Sequence, residues 1–487
     1  GLARQNLVLR LSDGPAGEGY ALTLMAYQAQ WTATEHVPAR AIEAGEIGRF
    51  GALSAHDGGR THRLALSGEW GRGTADGRMQ GSLYAVDYGL NLFSNPSGFI
   101  SGPQGDQHEQ VDGRRVLGGQ VRRDWYVGDA TAGGEFSVGA QVRQDRIGTL
   151  GLYTTENRMR TATVRTDRVV ESAAAVFAEV HGAWHTWLRP MLGLRYDRLA
   201  AQVSPLAGTY NLDNGGSARA GRFSPRAGVV LGPVNLPVAT EFYANWGEGF
   251  HSNDARGATS RRSPFDGQAI ASVPLLVRAR SAELGIRSTL RPGWTTTLSV
   301  WRMRLASELV FVGDEGVTEP RGGSRREGIE WTHQVDGVGG WQMDASLALS
   351  RARFQAPDPD SGGKDVPNAV PVVVSLGATR DVGGRWFAGV RGRHVGAYSL
   401  EPTGQVRSSG FWTAGLRGGF RLTPKAQISG DVLNLFNRRA NDIEYWGRAC
   451  TRGESAAGLC DGGLEGRLVH RSEERRVGKE CLRLCRS

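Results

Sequence analysis

Apolar and polar residues alternate with a period of two through most of this chain. In GSLYAVDYGLNLFS, residues 81–94, Tyr84, Val86, Tyr88, Leu90 and Leu92 alternate with Leu83, Ala85, Asp87, Gly89 and Asn91. In EFSVGAQVRQ, Phe136, Val138, Ala140 and Val142 alternate with Glu135, Ser137, Gly139, Gln141 and Arg143. SAELGIRSTL sets Ala282, Leu284 and Ile286 against Glu283, Gly285 and Arg287, and WQMDASLALS sets Trp341, Met343, Ala345, Leu347 and Leu349 against Gln342, Asp344, Ser346, Ala348 and Ser350. Trp412, Ala414, Leu416 and Phe420 stand in the same relation to Thr413, Gly415, Arg417 and Arg421. Successive side chains of a strand point to opposite faces, so each window predicts a strand with the first-named set on an apolar face. The predicted fold class is all-β.

An apolar sheet face meets either a soluble core or lipid. Lipid is favoured here because the opposite face carries full charges and glycines, as the wall of a wide aqueous bore does. Trp70, Trp246, Trp294, Trp341, Trp386 and Trp412 stand at strand ends, where a membrane-interface girdle belongs. The strands run to about ten residues or more, enough to cross hydrocarbon at a tilt. Short connections such as DGPAGEG, RGTADGR, RPG, DGVGG, DVGG and TPK alternate with long polar segments near 32–59, 94–113, 147–170, 200–218, 250–276, 307–322 and 355–365. Outer-membrane barrels segregate their loops in this way, with short turns in the periplasm and long loops outside. The chain therefore reads as a transmembrane antiparallel β-barrel of about eighteen strands, the first running toward the periplasm.

A single large β structure accounts for 487 residues, and 70 glycines with 19 prolines suit many strands joined by tight turns. No apolar run approaches the roughly 20 residues of a membrane helix. The formal charge of +9 raises nucleic-acid binding. Its Lys and Arg, however, are scattered singly among acids, so no nucleic-acid partner is predicted. DSGGKD lacks the upstream glycine and following Ser or Thr of a phosphate loop, and there is no G-x-S-x-G or H-E-x-x-H. Carboxylates on the polar strand face are expected to pair with arginine rather than move protons. No enzymatic activity, cofactor or metal site is expected. EGFHSNDARGATSRRSPFDG leaves a strand for a long loop and sets Glu248, His251, Asn253, Asp254 and Arg256 at the extracellular mouth. They are the candidate ligand contacts; the competing reading is that they cap the strand and tie neighbouring loops together. Arg261 and Arg262 beside them suit an anionic chelate or lipopolysaccharide phosphates.

FYANWGEGFHSNDARG (242–257), FSPRAGVV (223–230), ARSAELGIRS (279–288) and DVLNLFNRRANDIEYW (431–446) resemble the barrel of TonB-dependent outer-membrane receptors. The most specific element is NLFNRR, with Asn434, Leu435, Phe436, Asn437 and Arg438 where that family has its penultimate strand. The resemblance covers residues 1–470 and implies a 22-stranded barrel filled by an N-terminal plug. Against that pattern the chain reads as a fragment: about eighteen strands, no plug, no segment that engages the inner-membrane coupling protein, and no last strand. The resemblance also implies the outer membrane of a Gram-negative bacterium, with outer-membrane lipid and the inner-membrane TonB complex, acting through the plug, as partners. A small-molecule ligand is implied as well, most commonly a ferric siderophore. Without a plug, energised uptake is not expected of this chain alone. The rival is a passive porin-like or adhesin barrel.

Residues 471–481, RSEERRVGKEC, resemble the in-frame translation of a sequencing-library adapter, so 471–487 is expected to be a non-native tail. Its Cys481 and Cys485 lack a second ligand pair for zinc. Cys450 and Cys460 flank TRGESAAGL in the last extracellular loop. In an oxidising envelope they are expected to clip the loop as a disulfide, the alternative being two free thiols.

Overall fold

The computed structural model describes residues 1–14, 18–33, 35–128, 133–312, 317–423, 426–470 and 481–484, without the side chains of 235, 309–312, 317–321 and 481–484. Its main sheet has 19 strands. All but the last run in chain order, each antiparallel to the next, from Leu2–Asp13 against Gly19–Thr32 to Phe411–Thr423 against Ala426–Val432. The backbone of Cys481–Leu484 adds the last strand, opposite 426–429. The expected foreign tail otherwise falls on 471–480 and 485–487, outside the described residues.

The two faces of this sheet differ in chemistry and curvature. Leu7, Leu9 and Leu11 lie opposite Ala26, Leu24 and Leu22, and Leu24 lies opposite Leu66 on the next strand. Leu284 lies opposite Val300, which lies opposite Ile329, which lies opposite Leu349. Apart from half-buried Leu24 and Ala26, these side chains stand exposed, as a lipid-facing band does. The other face is concave, because charges on it meet across an intervening strand. Arg122 reaches Glu179 over Gly139, and Arg226 reaches the same carboxylate over Gly193. A Cβ on Gly193 would lie 2.7 Å from the Arg226 side chain, so the bridge needs glycine there.

Loop length segregates by end. Connections at 75–76, 184–187, 292–293, 339–340 and 383–385 are short, and those at 33–57, 95–107, 253–275, 355–371 and 396–410 are long. Trp294 and Trp341 open their strands directly after short turns, as does Trp386, while Trp412 sits near the long-loop end of its strand. The aromatics thus mark both edges of the apolar band.

Two expectations from sequence need correction. In Gly77–Ser94 the outward set is Leu83 and Ala85, which lie opposite Gly68 and Leu66, whereas Tyr84, Val86 and Tyr88 take inner positions. Both faces of that strand are rich in apolar residues, so its own pattern is ambiguous and cross-strand register decides. Residues 147–170 and 200–218 are largely strand rather than loop. Gly133–Glu156 and Met159–Ala183 form one long hairpin, and Leu188–Ala207 runs beside it. The hairpin closes through Asn157 and Arg158 with φ of 50° and 69°. Beyond lipid neither face need be apolar, so a polar strand looks like a loop while its backbone ladder continues.

The NLFN motif ends the strand Ala426–Val432 with a turn. Asn434 and Asn437 are left-handed, with φ of 47° and 49°, a conformation that asparagine tolerates. The Asn434 carboxamide accepts from the Arg438 N–H at 2.8 Å and donates to the Arg438 carbonyl at 2.9 Å. Leu435 N–H donates to the Ala414 carbonyl at 2.7 Å, and Phe436 rests on Trp412 with ring centroids 5.7 Å apart. The chain then re-pairs outside the main sheet, where Ile443–Ala449 meets Leu464–His470, which in turn meets Val37–Pro38. Replacing Asn434 by Ala strains the backbone and removes both bonds, so stability is expected to fall by roughly 2 kcal/mol, with Asn434→Gly intermediate. Urea unfolding in detergent micelles, followed by tryptophan fluorescence, checks this; equal midpoints for all three proteins would show that the turn contributes nothing.

Candidate functional site

The segment 253–275 leaves its strand and folds back over the inner face of the wall. Ala255 and Leu275 join Ile147, Val169, Ala201 and Val203 in a buried apolar cluster. Asn253 fastens the two ends of the loop: its side-chain amide donates to the Pro274 carbonyl at 2.7 Å and its N–H to the Leu275 carbonyl at 3.0 Å. Asp254 caps the short helix Ala255–Thr259 by accepting from the Arg256 N–H at 2.8 Å, and its carboxylate pairs with the Arg256 guanidinium at 2.7 Å. Crowding by protein works against the Asp254 charge, but Arg256, with the Arg165 charge behind it, outweighs that and holds the carboxyl at about 2.

A polar seam anchors the loop to the wall. Arg165 pairs with buried Asp167 at 2.8 Å, and Asp167 accepts from Asn211 at 2.9 Å. Asn214 accepts from the Arg261 and Arg262 N–H groups at 2.9 and 3.0 Å, and the Thr259 hydroxyl donates to the Asn214 carbonyl at 2.9 Å. Of the five sequence candidates, the structure brings Asn253, Asp254 and Arg256 together at this mouth. His251 takes an inner strand position opposite Val277, just below them. Glu248 stands apart, on the face of Phe242 and Trp246, paired with Arg278 at 2.9 Å and Arg280 at 2.7 Å.

Deeper in the bore lies a cavity of about 940 Å³ whose lining includes Arg10, Glu69, Arg122, Glu179, Arg195 and Asp197. These six charges are paired within the wall, as Arg195 is with Asp197 at 2.8 Å. Sequence reasoning overlooked a signal here. Arg-x-Asp occurs at 122–124, 143–145, 165–167 and 195–197, and period two puts both residues of each on the inner face, where all four form ion pairs.

The remaining loops interlock around the mouth. Buried Asp57 accepts from Gln107 at 2.9 Å, and Gln107 accepts from the Arg158 N–H at 2.9 Å. Arg40 holds both Glu454 oxygens, at 2.7 and 2.9 Å, and donates to the Ala449 carbonyl at 2.8 Å. Cys450 is fully buried against 95–107, donating to the Ser97 carbonyl and accepting from the Phe99 N–H, and is placed as a disulfide partner of Cys460 with Cα atoms 6.1 Å apart. Apart from the nearby Cys450 and Cys460, no sequence motif announces these contacts, because their partners lie about 50 to 400 residues apart.

Residues 5–435 match the family described as TonB dependent receptor-like, beta-barrel. The chain belongs to this family, an outer-membrane protein family of Gram-negative bacteria whose members are transporters rather than enzymes. Among solved structures, the ferric citrate transporter FecA in unliganded form is similar with a TM-score of 0.71 and 15% identity, over 96% of this chain and 69% of that one. The ferric-catecholate import receptor Fiu from K12 E. coli, closed form, gives 0.68 and 12%, over 96% and 74%. The copper transporter OprC gives 0.66 and 16%, over 96% and 71%. At such identities the likeness is one of fold. No curated protein matches the sequence.

Three titratable groups make the 33–57 loop sensitive to pH. Burial, and then the Asp57 charge, push Glu35 up to about 7; burial pushes Asp57 up to about 6; burial, and then His470, push His36 down to about 4. The folded loop binds protons on the two acids more tightly than the unfolded chain does, so their contribution falls as pH rises from about 4 to about 7. His36 acts in the opposite sense, its contribution rising from about pH 4 to 6.5. Hydrogen exchange in 33–57, corrected for intrinsic rates, is expected to show protection that falls with pH in the native protein, because the two raised acids together outweigh the one lowered histidine. Protection should fall steeply with pH in His36→Gln and rise with pH in Glu35→Gln/Asp57→Asn; parallel profiles in all three would contradict the assignment. For the cysteines we propose a disulfide, so Cys450 and Cys460 should resist alkylation in denaturant until a reductant is added, and labelling without reductant would refute the bond.

Proposed function

We propose that this chain forms the wall and extracellular mouth of a receptor for energised, TonB-coupled uptake of a scarce nutrient supplied as an anionic iron chelate of the siderophore type. The receptor part is residues 1–470 in the outer membrane of a Gram-negative bacterium, with the TonB complex acting through a plug segment, and 471–487 is a foreign appendage. The match of residues 5–435 to the receptor family is the observation that carries this reading. An inward-folded loop over a wide charged bore supports a receptor mouth rather than an open passive pore. His251, Asn253, Asp254 and Arg256 shape that mouth, and Arg261 and Arg262 supply its positive charge.

The likeness to a copper transporter raises copper as a second cargo. Copper sites draw on thiolate, thioether and imidazole donors. Among the described residues, the grouping of three such His, Cys or acidic donors within ligand reach of one another is Cys450, Glu454 and Cys460, and its two sulfurs are those of the proposed disulfide. The arginine-rich mouth is better suited to a negatively charged chelate. Titration of the detergent-purified protein with ferric catecholate, ferric citrate and Cu(II), read by tryptophan quenching, tests the choice. Saturable binding of at least one ferric chelate is expected, weakened by salt and several-fold weaker in Arg261→Gln/Arg262→Gln. Response to Cu(II) alone, or to none of the three, would sink the proposal.

A further inference from the structure

Above the lipid-facing band on three adjacent strands, the outward positions change abruptly from apolar to cationic. On Trp294–Leu305, Ser324–Val338 and Trp341–Phe354 the last apolar row is Val300, Ile329 and Leu349, cross-strand neighbours that stand 46, 44 and 38% exposed. Two residues further toward the long loops the row is Arg302, Glu327 and Arg351, and two further still it is Arg304, Arg325 and Arg353. The top row places three like charges directly opposite one another, an arrangement that is destabilising in a sheet unless something neutralises it. Lys364 adds a further cation at the rim of a cavity of about 600 Å³ lined by these side chains.

The protein itself supplies little compensation. Glu327 pairs with Arg325, and Asp365 lies 3.3 Å from Arg353. Arg302, Arg304, Arg351 and Lys364 have no ion-pair partner among the described residues, and the Arg302 Nε is buried with no hydrogen-bond partner. Position along the strand identifies what meets them. Residues two apart in a strand are separated by roughly 7 Å, so the two cationic rows fall within the headgroup layer directly above the hydrocarbon that Val300, Ile329 and Leu349 face. Guanidinium forks in that layer match phosphate oxygens.

We propose that this outer-wall patch binds the phosphates of an anionic glycolipid headgroup in the outer leaflet, with Arg302, Arg304, Arg351 and Arg353 as the main contacts. The proposal rests on the outer-membrane reading, since it assumes that the apolar band below is seated in a bilayer. The bound headgroup neutralises the Arg304–Arg325–Arg353 row and fixes the height of this side of the wall in the membrane. It also leaves the inner mouth unoccupied for ligand.

Reconstitution of the full chain into phosphatidylcholine vesicles doped with lipid A, or with its dephosphorylated form, tests this. The protein is re-extracted in mild detergent and its co-purifying lipid is measured by mass spectrometry. The native protein should retain lipid A and not the dephosphorylated form. Arg304→Gln/Arg351→Gln/Arg353→Gln should retain on the order of a hundredfold less, since each cation at an anionic surface contributes roughly a factor of five. The corresponding triple lysine variant keeps the charge and should retain most of the lipid, which separates loss of the site from loss of the fold. Equal retention of the two glycolipids, or unchanged retention in the glutamine variant, would overturn the proposal, as would displacement of lipid A by inorganic phosphate alone. Failure to float with any vesicle would instead overturn the outer-membrane reading, and the proposal with it.

Discussion

A chain that crosses hydrocarbon must satisfy every backbone N–H and C=O within the protein, because lipid offers no partner for them. Here that requirement is met laterally, each strand bonding to the strands before and after it in sequence. Adjacent antiparallel pairing removes the need for long crossovers at the periplasmic end, so those connections shrink to tight turns. It also fixes the alternation of faces, and through it the separation of an apolar exterior from a charged interior. The bore, the mouth and the outer rim all inherit their positions from this ladder.

Charge does different work in each zone. On the concave wall, arginines and acids are held in pairs along a strand and across neighbouring strands, and glycines such as Gly193 leave room for the longer bridges. Such pairing neutralises the lining and stiffens it, leaving a polar surface rather than a strongly charged one. At the mouth, Asp254–Arg256 and Arg165–Asp167 lock a loop over the inner face, with a small apolar cluster beneath it. On the outer rim the cations outnumber the acids and look outward from the wall. One residue type therefore serves as wall, latch and outer-rim charge according to the face it occupies.

Much of this architecture was legible before the structure. The windows at Phe136–Val142, Ala282–Ile286, Trp341–Leu349 and Trp412–Phe420 show the outward face that their apolar sets predicted, since a half-buried or lipid-facing strand writes its orientation into alternate positions. Gly77–Ser94 did not, because apolar residues fall on both of its faces and only pairing with Leu66 settles which points out. The long hairpin that turns at Asn157 and Arg158 resembles a loop in sequence, because outside the bilayer a strand carries no hydrophobic signature. At the mouth, the segment 253–256 was identifiable because a polar run follows a strand.

The sequence alone determined the class of fold, the sidedness of its loops and the family, because these depend on local periodicity and on short contiguous elements such as NLFNRR. Tertiary structure alone decided which side chains meet. Glu248, only five residues from Asn253, stands on the outer face while the others line the mouth. Arg40 finds Glu454, more than 400 residues away. Contacts of that kind are set by strand register and loop packing, which sum over the whole sheet and leave no trace in any one segment.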